Sequence, residues 1–179
     1  MVEKFGYSVA AISVLFLVNA TLNMLFAARI GRVIGREGER TALVFEYIGL
    51  VGVFVVYTFV ENAHLAAGLC IVDHFFFALA IAIKTYFQKI ADPADIASSA
   101  GVSFTINHIA AVVLPAALGI LWLTSPAAVF LVGAGLAGLS LLLSLNIPTH
   151  PAQGNEVMLG RRLWQHRSGR QINLFSIAP

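Results

Sequence analysis

Charge is what this sequence has least of. Lys, Arg, Asp and Glu make up 11% of its 179 residues, against roughly 25% in an ordinary soluble domain. Too few polar side chains exist to coat a water-facing surface, so a soluble globular chain is excluded. The formal net charge of +2 offers no basic surface of the kind nucleic acid requires, and no nucleic-acid partner is expected. Cysteine is also nearly absent: Cys70 stands alone, which excludes an intrachain disulfide. The His-Glu-x-x-His pattern of zinc proteases is missing. Two isolated histidines, His74 and His108, are a weak basis for axial haem ligation. No metal, cofactor or enzymatic activity is therefore expected. The first apolar run follows Met1 to Phe5 and is too long for a signal-peptide h-region, with no Ala-x-Ala site behind it, so a cleaved signal peptide is not expected either.

What the chain does have is length without charge. Hydrophobic residues reach 59% and the mean hydropathy is +0.85. A spanning helix needs about 20 mostly apolar residues to cross roughly 30 Å of hydrocarbon. Five runs meet that requirement: 7–28, 42–60, 63–83, 100–123 and 127–147. The runs are continuous, without the polar-apolar alternation of barrel strands, so helices are expected. The expected fold is an all-α polytopic bundle over 1–147, in contact with the lipid bilayer. The segment 148–179 is polar, Arg-bearing and Gly-containing, and is expected to be a mostly disordered tail, with an interfacial helix over 157–166 as the competing reading.

The basic residues are placed asymmetrically. Arg29, Arg32, Arg36, Arg40, Lys84, Lys89, Arg161, Arg162, Arg167 and Arg170 fall on one side of the five runs, and Lys4 on the other. The positive-inside rule then places the loops beginning at Gly31 and Lys84, and the tail, in the cytoplasm, with the N-terminus outside. An outside N-terminus and an odd number of spans suit a chain that further spans once preceded.

The first basic loop reads Gly31-Arg32-Val33-Ile34-Gly35-Arg36-Glu37-Gly38-Glu39-Arg40. Read from its residues alone, it is a positive-inside turn whose glycines permit tight approach and positive φ. It resembles the Gly-x-x-x-Asp-Arg-x-Gly-Arg-Arg signature of the major facilitator superfamily, which lies between helices two and three and recurs in weakened form between eight and nine. Gly31, Arg36, Gly38 and Arg40 match; Gly35 stands in place of the Asp and Glu39 in place of an Arg. The degenerate form fits the second copy, which makes the five spans helices eight to twelve of a twelve-helix fold. The stretch from Lys84 to Pro93 and Gly101 to Pro115 is also similar to bacterial members. The resemblance covers about residues 5 to 150. It implies secondary transport of a small solute across a plasma membrane, with a bacterial inner membrane the expected location. It also implies a partner in the form of the missing N-terminal half or a second copy of the chain. A non-transporting membrane partner subunit, or a truncated fragment without function, is the alternative.

Polar residues at membrane depth are costly and so become site candidates. Asp73 and His74 lie near the middle of the third run, and Asn107 and His108 near the middle of the fourth. Asn19 and Asn23, spaced i and i+4, share a face of the first. These six are the candidates for solute binding or proton coupling, with Asp73 expected to pair with His108 or His74. A structural hydrogen bond that glues two helices is the plainer reading of the same residues. The resemblance implies that helices eight, ten and eleven line the central cavity, and these are the runs holding the six. Glu46, about one turn inside the second run, is expected to contact Arg36 or Arg40 and replace the aspartate absent at Gly35. Pro115 is expected to kink the fourth run.

Overall fold

The computed structural model describes residues 2–159. Among them the regular structure is helical, with no strand beyond an isolated bridge between Ala152 and Asn155. A short helix α1 (Val2–Phe5) precedes α2 (Val9–Glu37), α3 (Glu39–Phe59) and α4 (Ala63–Phe77). A 3₁₀ turn (Ala78–Ala80) leads from α4 into α5 (Ile81–Ile90), followed by α6 (Ile96–Thr124) and α7 (Pro126–Leu145). Counting α4 through α5 as one span, five helices are long and apolar enough to cross a membrane.

Helix starts follow local chemistry. Ser8 caps α2 by accepting from the Ala11 N–H, and Asn62 caps α4 by accepting from His64 and Leu65. Ser125 caps α7 by accepting from Ala128, and Pro126 follows at N1, where its missing N–H costs nothing. The connections are shorter than the apolar runs suggest. Residues 31–37, expected as loop, belong to α2, and the whole connection to α3 is Gly38. Of the glycines at 31, 35 and 38, only Gly38 takes positive φ (85°, with ψ 158°). Arg, Val, Ile and Glu tolerate helix well, so the chain continues helical until that residue. In the same way α5 runs on to Ile90, leaving Ala91 to Asp95 as the turn. There the Asp92 carboxylate accepts from Ala94 N–H at 2.9 Å. The α6 helix continues through Pro115 without a break.

Helix α3 is the centre of the bundle. Its contact with α7 is the most extensive, and it also packs on α2, α4 and α5. Lipid offers little hydrophobic drive for helix association, so small residues and close packing carry it. Gly49 lies under the ring of Phe76, where any Cβ would collide, and Gly133 meets the ring of Phe54. Two buried clusters result. One gathers Ile30, Ile34, Ala42, Leu43, Leu79 and Ala82 around the α2–α3 junction. The other joins Val53, Tyr57, Val60 and Ala66 at the far end of α3. There the Tyr57 hydroxyl donates to the Ala66 carbonyl at 2.8 Å, and its ring stacks on Phe130. Helix α6 differs from the others: none of its residues is buried, and α7 is its main neighbour.

Residues 146–159 fold back over the basic end. The Tyr86 hydroxyl donates to the Glu156 carbonyl, Gln153 donates to the Ala91 carbonyl at 3.0 Å, and Asn146 receives the N–H groups of Met158 and Leu159. The expectation of disorder from 148 onward is therefore corrected for 148–159, where backbone groups find specific partners. Residues 160–179, with most of the competing 157–166 helix, lie outside the described residues.

Candidate functional site

The site is built from α2 and α4, which pack against each other. The i, i+4 spacing of Asn19 and Asn23 puts both on the α2 face that meets α4. On α4, Cys70 and His74 repeat that spacing. Between the helices lies a cleft of about 260 Å³, lined by Asn19, Asn23 and His74 and walled by Phe26, Phe75 and Phe76. Ligand pockets ordinarily begin near 300 Å³, so this one suits a compact molecule.

Hydrogen bonds fix the polar groups. The Nδ1 of His74 lies 2.9 Å from the Cys70 carbonyl, one helical turn back. A carbonyl only accepts, so Nδ1 carries a proton directed at it. Asn19 is 2% exposed. Its Nδ2 donates to the Cys70 sulfur at 3.8 Å, while its Oδ1 is buried with no partner. An unmet buried acceptor costs about 1–3 kcal/mol. The oxygen is sealed between the helices, out of reach of water.

Asp73 is next to His74 in sequence, and its Oδ2 lies 3.7 Å from His74 Nδ1. That proton is already directed at the Cys70 carbonyl, so the carboxylate contact is the longer and secondary one. Asp73 is not among the residues lining the cleft. The pairing of Asp73 with His108 does not form. His108 is exposed on α6, bonds the Phe104 carbonyl of its own helix at 2.9 Å and lies against the Phe104 ring. Asn107 is likewise exposed. Of the six candidates, the structure thus joins Asn19, Asn23 and His74 in one cleft, with Asp73 beside it and the α6 pair apart.

The basic-end contacts also differ from expectation. Glu46 is 2% exposed and its Oε2 has no partner. Among the described residues it makes no ion pair with Arg36 or Arg40. Arg40 lies six residues earlier on the same helix, about 240° around it, and so on another face. Arg36 is exposed on the last turn of α2. Glu39, seven residues before Glu46, shares its face and receives the cation instead, from Lys89 at 2.6 Å. Of the motif glycines, Gly31 and Gly35 stand within helix with open space around them, and only Gly38 shapes the backbone.

Sequence reasoning missed two residues of the cleft's frame. Cys70 binds both Asn19 and His74; its signal was the four-residue spacing to His74. Phe76 gave no local signal, because its place depends on the glycine at 49 on another helix. No family model, curated protein or solved structure matches this chain.

Proposed function

We propose that this chain forms part of a secondary transporter of the major-facilitator type, with the α2–α4 cleft as part of the path of a small solute. The observation that carries this reading is the convergence of Asn19, Asn23 and His74 from two spans into one cleft. Polar groups at membrane depth commonly mark substrate or ion pathways. The helix arrangement is consistent with it. The spans corresponding to helices nine and twelve, α3 and α7, pack most extensively on each other. Every span leaves most of its surface uncovered, and α6 leaves the most. The orientation that accompanies this reading places the Gly38 junction, the Ala91–Asp95 turn and residues 146–159 in the cytoplasm, with Ser8 outside, in a bacterial inner membrane.

The reading as an incomplete or non-transporting partner draws on one specific observation. Residues 101–109 of α6 are exposed on every side, Asn107 and His108 included. Two such polar groups facing hydrocarbon would be costly, so cover from additional spans, an N-terminal half or a second copy, is expected.

The test is uptake by inside-out and right-side-out vesicles from cells expressing the chain, with and without any adjoining spans encoded beside it. Labelled sugars, amino acids and aryl alcohols serve as the solute panel. Uptake of a solute that is lost in both Asn19→Ala and His74→Ala variants of normal abundance supports the proposal. Absence of uptake of every solute, with the adjoining spans supplied, favours the non-transporting partner. Orientation is read separately by labelling Ser8→Cys and Arg36→Cys, in a Cys70→Ser background, with a membrane-impermeant maleimide.

A further inference from the structure

The outer surface of α2 changes character along its length. At about 100° per residue, Val18, Leu25, Arg29, Arg32 and Arg36 fall on one face. All five are exposed. The buried face of the helix, with Asn19, Ile30 and Ile34, is turned well away from them. Glu37, the one acidic residue of α2, lies about 100° round from Arg36. Among the described residues none of the three arginines has an ion pair.

The change from aliphatic to cationic falls at a definite depth. Counted from Val9, about 20 residues cross roughly 30 Å of hydrocarbon and end near Ala28. Arg29 and Arg32 then start in the headgroup layer, about 5–7 Å thick. Arg36 starts about 12 Å beyond the boundary, but helical side chains lean toward the N-terminus, here back toward the bilayer. Arg32 shows that lean: its Nε donates to the Ala28 carbonyl at 3.3 Å, which leaves both Nη groups for another acceptor. Arg29 is held over the Phe26 ring, 5.5 Å from its centroid.

We propose that this face of α2 binds an anionic phospholipid of the leaflet at the basic end, with its phosphate among Arg29, Arg32 and Arg36 and an acyl chain along Leu25 and Val18. A lipid meets both parts of the face in their order and spacing, whereas a soluble anion matches the arginines alone. Guanidinium groups pair with phosphate through two parallel hydrogen bonds. The net negative charge is selected because a zwitterionic headgroup brings its own cation against the same arginines. The topological bias of basic residues needs only charge at this end of the bundle; three exposed arginines on one helix face, with no carboxylate among them, make a local site. The proposal requires that α2 span the membrane and is independent of what the chain transports.

The full chain, purified in neutral detergent, is titrated with phosphatidylglycerol and with phosphatidylcholine of the same acyl chains, and bound lipid is counted by native mass spectrometry. Phosphatidylglycerol with a photoprobe in its acyl chain then locates the contact in nanodiscs. The expected result is a preference for phosphatidylglycerol of at least about tenfold, with cross-links within residues 18–28. Arg32→Gln should weaken its binding about fivefold, the effect of one basic residue near an anionic surface. Lys84→Gln removes an exposed charge from the same end and should change binding by less than about twofold. The triple Arg29→Gln, Arg32→Gln, Arg36→Gln variant should lose the preference. If that variant fails to fold, the comparison of Arg32→Gln with Lys84→Gln decides alone. Equal affinity for the two lipids overturns the proposal, as does a preference that survives the triple substitution. A loss from Lys84→Gln as large as that from Arg32→Gln would show diffuse attraction and no site. Cross-links outside α2, or displacement of the lipid by glycerol 3-phosphate, also overturn it, as would loss of the cross-link when adjoining spans are supplied, which would assign the face to protein.

Discussion

The Nζ of Lys89, at the end of α5, lies 2.6 Å from Oε1 of Glu39, the first residue of α3. The two ends of the pair are unequal: the Glu39 side chain is 3% exposed and that of Lys89 50%. The other Glu39 oxygen is buried without a partner. Removing the cation strands a buried carboxylate, whereas removing the acid leaves a lysine that can turn to water. Lys89→Ala should therefore destabilise the chain more than Glu39→Gln, by about 1–2 kcal/mol against under about 1 kcal/mol, after allowing for the exposed half of the pair. The double variant should recover most of the loss. Thermal unfolding of the four proteins in one detergent at fixed pH checks the order, and equal losses for the two single variants would show that the contact is a surface pair of no consequence.

Gly38 is predicted to be the glycine of the basic motif that cannot be replaced. Its φ of 85° and ψ of 158° belong to a region essentially restricted to glycine, where a side chain costs about 1–3 kcal/mol. Gly35→Ala lies in helix interior with nothing near its Cβ position, and should be neutral or stabilising by up to about 1 kcal/mol. Unfolding midpoints that fall for Gly38→Ala and hold or rise for Gly35→Ala are the expected outcome.

These contacts mark what the sequence could disclose. The five spans were legible because length and continuity of apolar residues suffice to define them, and Ser8, Asn62 and Ser125 begin helices as their side chains dictate. Helix packing was not legible, because α6 and α7 carry no periodic apolar stripe to name a buried face. The glycines and arginines around Gly38 signal a longer turn than forms, because only one glycine is forced out of helix. In the cleft, Asn19 and Asn23 could be placed together by their four-residue spacing. Their meeting with His74 required the crossing of α2 and α4, which no local pattern encodes.

The fit of Phe76 over Gly49 gives a prediction about packing. A methyl group at 49 would overlap the Phe76 ring, so Gly49→Ala should lose about 1–3 kcal/mol, the usual range for overpacking. Adding Phe76→Leu should restore part of that loss, because a smaller side chain makes room for the methyl. Phe76→Leu alone should cost stability through the space it opens. The non-additivity is measured by a double-mutant cycle on unfolding midpoints; simple addition of the two losses would mean that the residues do not share one space.

Tyr57 and Ala66 hold the opposite end of α3 to α4 through the 2.8 Å hydroxyl–carbonyl bond. Tyr57→Phe keeps the stacking on Phe130 and removes only the hydroxyl, so its cost should be about 1 kcal/mol. Phe130→Ala removes a whole ring from the same cluster and should cost about 2–4 kcal/mol, less than a fully enclosed site because Phe130 is only partly buried. Thermal unfolding resolves the two, and a Tyr57→Phe loss as large as that of Phe130→Ala would assign the hydroxyl a role beyond one bond.

Asn107 and His108 are exposed, and the His108 ring finds its hydrogen bond and ring contact within its own helix. Nothing in the described bundle depends on them, so Asn107→Leu and His108→Leu should leave the unfolding midpoint of the isolated chain within the effect of a typical surface change, about 0.5 kcal/mol either way. If α6 faces additional spans across a solute path, the same substitutions should reduce uptake in vesicles that contain those spans while abundance stays constant. A loss of stability in the isolated chain would instead mean that α6 packs on this bundle more closely than its contacts with α7 indicate. Retained stability with retained uptake would remove both residues from the proposed solute path.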